Sequence, residues 1–143
     1  MKIVIGCDHA GYEYKEKLIK KLQSLHITVI DKGTHSTDSV DYPDFVHPVA
    51  SEIDENRSDF GVLICGSGNG VCMTANKHQN VRAALCWNKE LAELARQHNN
   101  ANIICIPARF ISYRMASQMV NAFLFTPFEG GRHKRRVDKI SSC

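Results

Sequence analysis

The sequence predicts an α/β protein with a Rossmann-like three-layer α/β/α sandwich and a five-stranded parallel sheet. Short apolar strand segments alternate with amphipathic helical segments along the whole chain, and the connections between them are short. The strand segments are apolar at successive positions, as expected when helices cover both faces of a parallel sheet. No linker or internal repeat interrupts this alternation, so we expect one domain over residues 1–143.

Three strands are predicted in the first half of the chain, from apolar segments rich in β-branched residues: Ile3–Ile5, Thr28–Ile30 and Phe60–Ile64. The helix that begins at Tyr12 has its apolar residues on one stripe: Tyr14, Leu18, Leu22 and Leu25. Pro43 suits the first turn of the next helix. The apolar face of that helix contains Phe45, Val46, Val49, Ala50 and Ile53.

Two more strands are predicted in the second half, at Val81–Leu85 and at Asn102–Ile106, the latter closed by Pro107. A short helix extends to about Lys77, and Asn88 can cap the helix that follows. Apolar residues at helical spacing predict the next helix: Met115, Met119, Val120 and Phe123. A short, very basic helix is predicted from Arg132 to Ile140.

Composition narrows the class of protein. The chain is 43% hydrophobic and 23% charged with a net charge of +3, so composition does not indicate a nucleic-acid or membrane partner. No apolar stretch is long enough to span a bilayer, and Met1 runs directly into a strand pattern without an export signal, so we expect a cytoplasmic protein. The six cysteines show neither a C-x-x-C pair nor zinc-ligand spacing, which fits a reducing compartment.

Cys65 stands at the end of a predicted strand and precedes the glycine-rich segment Gly66–Gly70. Val71 occupies the last position of a possible G-x-G-x-x-G motif, and no P-loop lysine follows, so neither common nucleotide motif is present. Backbone N–H groups here could bind an enediolate oxygen, with Ser67 and Asn69 as further donors. Cys65 can then be a general base, a nucleophile or a small buried residue. Cys7, the other cysteine at a strand end, is expected to pack in the core.

Asp8 and His9 follow the first strand in a polar loop, which favours contact with a ligand. Gly6, Gly11 and the acidic Asp31 weakly resemble a nucleotide-binding arrangement. A nucleotide- or phosphate-binding module without catalysis is therefore an alternative to an enzyme.

His98 has two interpretations. It lies at the helical spacing of Leu91 and Leu94, which is typical of a buried core histidine, but Asn99 and Asn100 place it near a loop. The remaining histidines are expected to be structural or on the surface: His26, His35, His47, His78 and His133.

Arg132 and Arg136 are four residues apart and share a helix face. This basic segment is a solvated helix end, a nucleic-acid patch or a phosphate clamp, and the residues alone do not rank the three.

Five segments occur in a recognisable order: Gly6–Gly11, Asp41–Asp44, Cys65–Gly70, Arg96–Asn99 and Phe128–His133. Together they resemble the ribose-5-phosphate isomerase B family, which also contains galactose-6-phosphate and allose-6-phosphate isomerases. The likeness runs over nearly the whole chain. One branch of the family uses a glutamate just after the glycine loop as its base; here that position is Val71, so the chain resembles the cysteine-using branch.

The resemblance implies that ribose 5-phosphate and ribulose 5-phosphate interconvert through a cis-enediolate, without a metal or cofactor. Cys65 would be the base, His98 would open the sugar ring, and Ser67 would assist proton transfer between the oxygens. The residues that would bind substrate are Asp8, His9, Tyr42, Gly66, Gly68, Asn69, Gly70, Asn99, Arg109, Arg132 and Arg136. The sites would lie at a homodimer interface and combine residues of both subunits; pairing into tetramers, and the choice between pentose and hexose substrates, stay open.

Overall fold

Five parallel strands form the centre of the molecule in the computed structural model, which describes residues 1–142. The strands are β1 (Lys2–Cys7), β2 (Thr28–Asp31), β3 (Phe60–Cys65), β4 (Ala83–Leu85) and β5 (Ile103–Pro107). The helices are α1 (Tyr12–Ser24), α2 (Pro43–Asp54), α3 (Asn69–Ala75), α4 (Lys89–Asn99), α5 (Tyr113–Phe125) and α6 (Arg132–Val137), with a 3-10 turn at His9–Gly11. The strand order is β2-β1-β3-β5-β4, and the predicted Rossmann-like fold is confirmed.

Helices cover both faces of the sheet because successive strand residues point to opposite sides. Ile3 and Ile5 pack against one apolar cluster, which contains buried residues of α1, α4 and α5. Val4, between them, packs against the other cluster, with buried residues of α2 and α3. The near-continuous apolar strands of the sequence therefore reflect two separate layers of core.

Several predicted boundaries were wrong at the ends of elements. β4 begins at Ala83 rather than Val81, because the Val81 N–H donates to the His78 carbonyl in a turn. The short helix α3 ends at Ala75, and α6 ends at Val137 rather than Ile140. Leu25, predicted on the apolar stripe of α1, lies past the end of that helix and is 48% exposed. Cys143 lies outside the described residues.

The parallel sheet has two chemically different edges. The loops that follow β1, β3 and β5 emerge at its carboxyl edge, where ligands bind in open α/β sheets. The end of α4 and the start of β5 lie at the opposite edge, because each helix runs back across the sheet before the next strand begins. Among residues 1–142, no helix combines the length and apolar content that a membrane crossing requires.

Candidate active site

An open cleft of about 400 Å³ lies at the carboxyl edge of the sheet. Its lining residues are Asp8, Tyr42, Cys65, Gly66, Ser67, Gly70, Arg109 and Phe110. All except Phe110 were predicted as site residues. Phe110 carries no polar or charged group, so nothing in the sequence indicates that it contacts a site. In the structure it is 76% exposed.

The loop after β3 folds back on the sulfur of Cys65. Cys65 is only 4% exposed, and its Sγ accepts a hydrogen bond of 3.1 Å from the Gly68 N–H. Gly68 has a positive φ of 75°, and a Cβ there would lie 2.4 Å from Leu85 Cδ1. A side chain at position 68 would therefore be strained twice, by backbone conformation and by contact. The loop therefore directs a backbone N–H donor at the sulfur of Cys65.

Tyr42 forms one wall of the cleft. Its ring packs directly on the first turn of α3, where a Cβ at Gly70 would lie 2.5 Å from Tyr42 Cζ. Ser67 is exposed, and its Oγ accepts from the Asn69 N–H at 3.3 Å. The cleft thus presents a hydroxyl and an aromatic face on either side of the glycine loop.

Arg109 brings positive charge to the same loop. Its backbone N–H donates to the Gly66 carbonyl at 3.0 Å, and its side chain runs over Gly66, with Cδ 3.1 Å from where a Cβ would stand. The guanidinium is exposed, so it is free to bind an anion in the cleft.

Asp8 and His9 complete this edge from the end of β1. Asp8 is 8% exposed, and its Oδ1 accepts from the N–H groups of Ala10 and Gly11 at 2.9 and 3.2 Å. The Nδ1 of His9 accepts from the Val40 N–H at 3.3 Å, so a neutral His9 carries its proton on Nε2. Hydrogen bonds from backbone N–H groups therefore hold both side chains in place beside the cleft.

Cys7 differs from Cys65 although both end neighbouring strands. Cys7 is 1% exposed, and burial raises the pKa of its thiol to about 12. Its backbone is bonded on both sides, to Gly33 and Thr34. Cys7 therefore packs in the core, as expected from the sequence.

Four predicted site residues do not line the cleft and are called the His98 group below: His98, Asn99, Arg132 and Arg136. His98 lies near the end of α4, beside the start of β5. Ile103 pairs with Gly61 and Pro107 with Cys65, so the first residue of β5 is about 13 Å from the Cys65 end of the sheet. Within one chain, His98 and Cys65 therefore lie at opposite ends of the parallel strands.

His98 is neither a core histidine nor alone. Its side chain is 39% exposed and stacks on His133, with ring centroids 4.2 Å apart and an interplanar angle of 8°. The Glu129 Oε2 lies 3.9 Å from His98 Nε2 and 3.4 Å from His133 Nε2. His133, which the sequence assigns to the surface or structural histidines, is buried against the candidate residue His98. Its i,i+4 spacing from Glu129 is the signal that could have identified it.

The surroundings of His133 disfavour its charged form. Burial lowers the pKa of His133 below its usual value of 6.5, and the neighbouring charges of His98 and Arg132 lower it further, against the opposite effect of Glu129. His133 is therefore more readily neutral than an ordinary histidine.

The donor atoms of His98, Glu129 and His133 lie within 4.8 Å of one another, close enough in distance for a metal ion. The ring planes, however, are nearly parallel. A metal ion 2.0–2.1 Å from both ring nitrogens and in both ring planes is not possible in that arrangement. The trio is arranged as a stacked pair with a carboxylate, rather than as a metal centre.

Arg96, two residues before His98, connects the end of α4 to neighbouring segments. Arg96 is 8% exposed, and its guanidinium carbon lies 4.8 and 5.8 Å from the ring centroids of Phe60 and Phe123, which pack edge-to-face on each other. It donates to the Thr126 carbonyl at 3.3 Å and to the Ala101 carbonyl at 2.6 Å. Arg96 therefore joins the end of α4, the start of β5 and the end of α5.

The two remaining arginines lie on α6, which packs against α4. Arg132 and Arg136 are both exposed and share one face of this helix. Asn99 is exposed next to His98. Positive charge and hydrogen-bond donors therefore gather around the stacked histidines, far from the Cys65 cleft.

The fold and the cleft define a class: a Rossmann-like α/β protein with an open cleft at the carboxyl ends of its strands. Residues 3–140 match the family model described as Ribose/Galactose Isomerase, and the chain belongs to this family. Ribose-5-phosphate isomerase B of Escherichia coli is 39% identical over 141 residues, covering 99% of this chain and 95% of that protein. The probable ribose-5-phosphate isomerase B of Mycoplasma genitalium is 45% identical over 140 residues, covering 96% of this chain and 92% of that protein.

Solved structures agree with this assignment. A ribose 5-phosphate isomerase from Thermotoga maritima superimposes with a TM-score of 0.97 at 48% identity, covering 99% of this chain and 98% of that one. Ribose-5-phosphate isomerase B from Mycoplasma genitalium, solved with bound ribulose-5-phosphate, has a TM-score of 0.96 at 44% identity, covering 99% and 94%.

Proposed function

We propose that this chain is an aldose–ketose isomerase, a single domain over residues 1–143, that interconverts D-ribose 5-phosphate and D-ribulose 5-phosphate. The observation that carries the proposal is the Cys65 loop, in which a thiol, backbone donors and Arg109 meet in one cleft. Relatives named for this activity, one of them solved with ribulose-5-phosphate bound, support the choice of substrate. Because phosphorylated sugars are retained inside cells, we place the enzyme in the cytoplasm.

In this proposal Cys65 moves the carbon-bound proton. The thiolate removes the proton from C2 of the open-chain aldose, and the electron pair moves towards O1 to form a cis-enediolate. The thiol then returns the proton to C1, while a proton passes from O2 to O1 with help from Ser67, and C2 becomes the ketone. The loop residues Gly66, Gly68, Asn69 and Gly70 stabilise the charge that develops on the oxygens.

Ring opening requires a separate acid, for which we propose His98. As the C1–O4 bond breaks, O4 gains a proton from the imidazole and the C1 hydroxyl gives up a proton to water, which leaves the aldehyde. The imidazole then regains its proton from the solvent. Histidine suits this step because its usual pKa lies near neutrality. Asp8, His9, Tyr42 and Asn99 would contact the sugar or its phosphate.

We further propose that two copies of the chain assemble each site. His98 and Cys65 stand at opposite edges of the sheet, so one chain cannot bring both to the same sugar. In a two-fold symmetric dimer, the Cys65 cleft of one copy faces the His98 group of the other, and two equal sites form. Arg109 of one copy would then bind the phosphate together with Arg132 and Arg136 of the other.

The substrate is tested with the purified protein and a panel of sugar phosphates. We expect conversion of ribose 5-phosphate with a higher kcat/KM than galactose 6-phosphate or allose 6-phosphate. Turnover of a hexose phosphate alone would move the chain to a sister activity of the family. Thermal stabilisation by ATP or NAD, and none by sugar phosphates, would instead favour a nucleotide-binding module.

The shared site is tested by mixing two inactive variants, Cys65→Ala and His98→Ala. A hybrid dimer has both lesions in one site and an intact second site, whereas each parental dimer has one lesion in every site. With random pairing, half the dimers are hybrids, so we expect about a quarter of the wild-type activity. If the mixture is no more active than the separate variants, the two-copy site is wrong.

A further inference from the structure

His133 stacks on His98 but has no role in the proposed reaction. We propose that His133 is a positioning residue for ring opening: it holds the imidazole of His98 by face-to-face stacking and anchors Glu129 beside it. This inference rests on the proposed function, in which His98 opens the sugar ring.

The first support is the difference in burial between the two rings. The side chain of His133 is 9% exposed, while that of His98 is 39% exposed. The stack has a centroid distance of 4.2 Å and a tilt of only 8°, so one whole face of His98 lies against a ring that is fixed in the protein. His98 keeps its other face and edge open to a ligand.

The second support is the way the backbone fixes the supporting ring. The Glu129 N–H donates to the Gln97 carbonyl at 3.1 Å, which joins the loop before α6 to the residue preceding His98. The His133 N–H donates to the Gly130 carbonyl at 3.0 Å, which closes the first turn of α6. Both members of the stack are therefore tied to the same short stretch of backbone.

The third support is electrostatic. Two stacked imidazolium rings repel each other, and Arg132 and Arg136 on α6 add further positive charge around His133. The single carboxylate of Glu129 lies within 4 Å of both Nε2 atoms and offers compensation for one proton. The arrangement therefore favours a neutral His133 behind the accessible ring of His98.

Position matters here because proton transfer depends steeply on geometry. An imidazole that is free to rotate presents its N–H to the ring oxygen only part of the time, and small misplacements of catalytic groups reduce rates strongly. A flat neighbour at van der Waals distance restricts that rotation without itself touching the substrate.

The test compares two variants of similar bulk, His133→Phe, which keeps a flat ring, and His133→Leu, which does not. Two reactions are measured: conversion of ribose 5-phosphate, which needs ring opening, and exchange of the C1 hydrogen of ribulose 5-phosphate with D₂O, which does not. Ribulose 5-phosphate stays open-chain because its O5 carries the phosphate. Arg135→Ala on the exposed face of α6 is the matched control and should leave both reactions unchanged.

For His133→Leu we expect kcat for ribose 5-phosphate to fall by about 10- to 100-fold, part of the 10²- to 10⁴-fold that a general acid contributes, with KM and C1 exchange changed little. His133→Phe should recover most of that loss. Unchanged conversion in His133→Leu, equal loss in both reactions, or no difference between the two variants would each overturn the inference. A wild-type protein inactive on ribose 5-phosphate, or a His98→Ala variant that loses both reactions equally, would instead contradict the proposed function.

Discussion

The Cys65 cleft and the His98 group are built in different ways. The cleft is made by backbone: a strand end, a loop whose Gly68 has a positive φ, and an N–H that donates to the sulfur. His98 is instead surrounded by side chains, namely the stacked ring of His133 and the carboxylate of Glu129 that both rings share. Geometry fixed by the backbone tolerates few substitutions, whereas a side-chain cluster distributes its function over several residues, each with a smaller effect.

The largest effect is expected at Cys65. Cys65→Ala removes the base, so both conversion of ribose 5-phosphate and C1 exchange of ribulose 5-phosphate should fall by at least about 10³-fold. Cys7→Ala is the matched control, since Cys7 also ends a strand but lies in the core. Steady-state kinetics and exchange followed by NMR give both rates. Exchange that persists in Cys65→Ala would show that another group is the base.

His98→Ala should separate the two reactions. We expect about a 10²- to 10³-fold loss in conversion of the cyclic aldose phosphate, because the acid for O4 is gone. C1 exchange on the open-chain ketose phosphate should stay within a few-fold of wild type. A comparable loss in both reactions would argue against a ring-opening role for His98. The Cys65 cleft and the His98 group would then no longer differ in function.

Gly68→Ala tests how strictly the backbone defines the cleft. The left-handed conformation costs an alanine about 1–2 kcal/mol, and contact with Leu85 adds to that. Gly130→Ala is the matched control: Gly130 also has a positive φ, of 67°, but no atom lies within 4 Å of its would-be Cβ. The melting temperature should fall by several degrees in Gly68→Ala and by less in Gly130→Ala. Equal shifts would mean that the contact with Leu85 is easily relieved.

The smallest effect is a pH dependence of stability in the His98 group. Since the folded-state pKa of His133 is lowered, the unfolded chain binds more protons once the pH falls below about 6.5, so folded stability declines from there and levels off below the lowered pKa. His133→Phe removes this contribution, so its melting temperature should decline less than that of wild type between pH 7 and pH 5. The same decline in both proteins would show that other groups dominate.

The Cys65 cleft was easier to predict from the sequence than the surroundings of His98. The alternating fold and the strand-end position of Cys65 follow from local patterns, namely apolar period, glycine spacing and the carboxyl-edge rule, and the predicted fold is confirmed. The burial of His133 depends on how α6 packs on α4, which no local pattern in the basic segment indicates. The position of His98 at the opposite edge depends on tracing α4 back across the sheet. Phe110 contacts the cleft only because β5 ends beside β3.

Arg96 has a consequence for how the molecule fluctuates. Because one guanidinium bonds to carbonyls at Ala101 and Thr126, the ends of α4 and α5 cannot detach independently without leaving a buried cation short of acceptors. Local unfolding on this side is therefore cooperative, and amide hydrogens at both helix ends should exchange with solvent at matched rates. Replacing Arg96 would split this unit into two segments that open separately, while the Cys65 loop keeps its own rate.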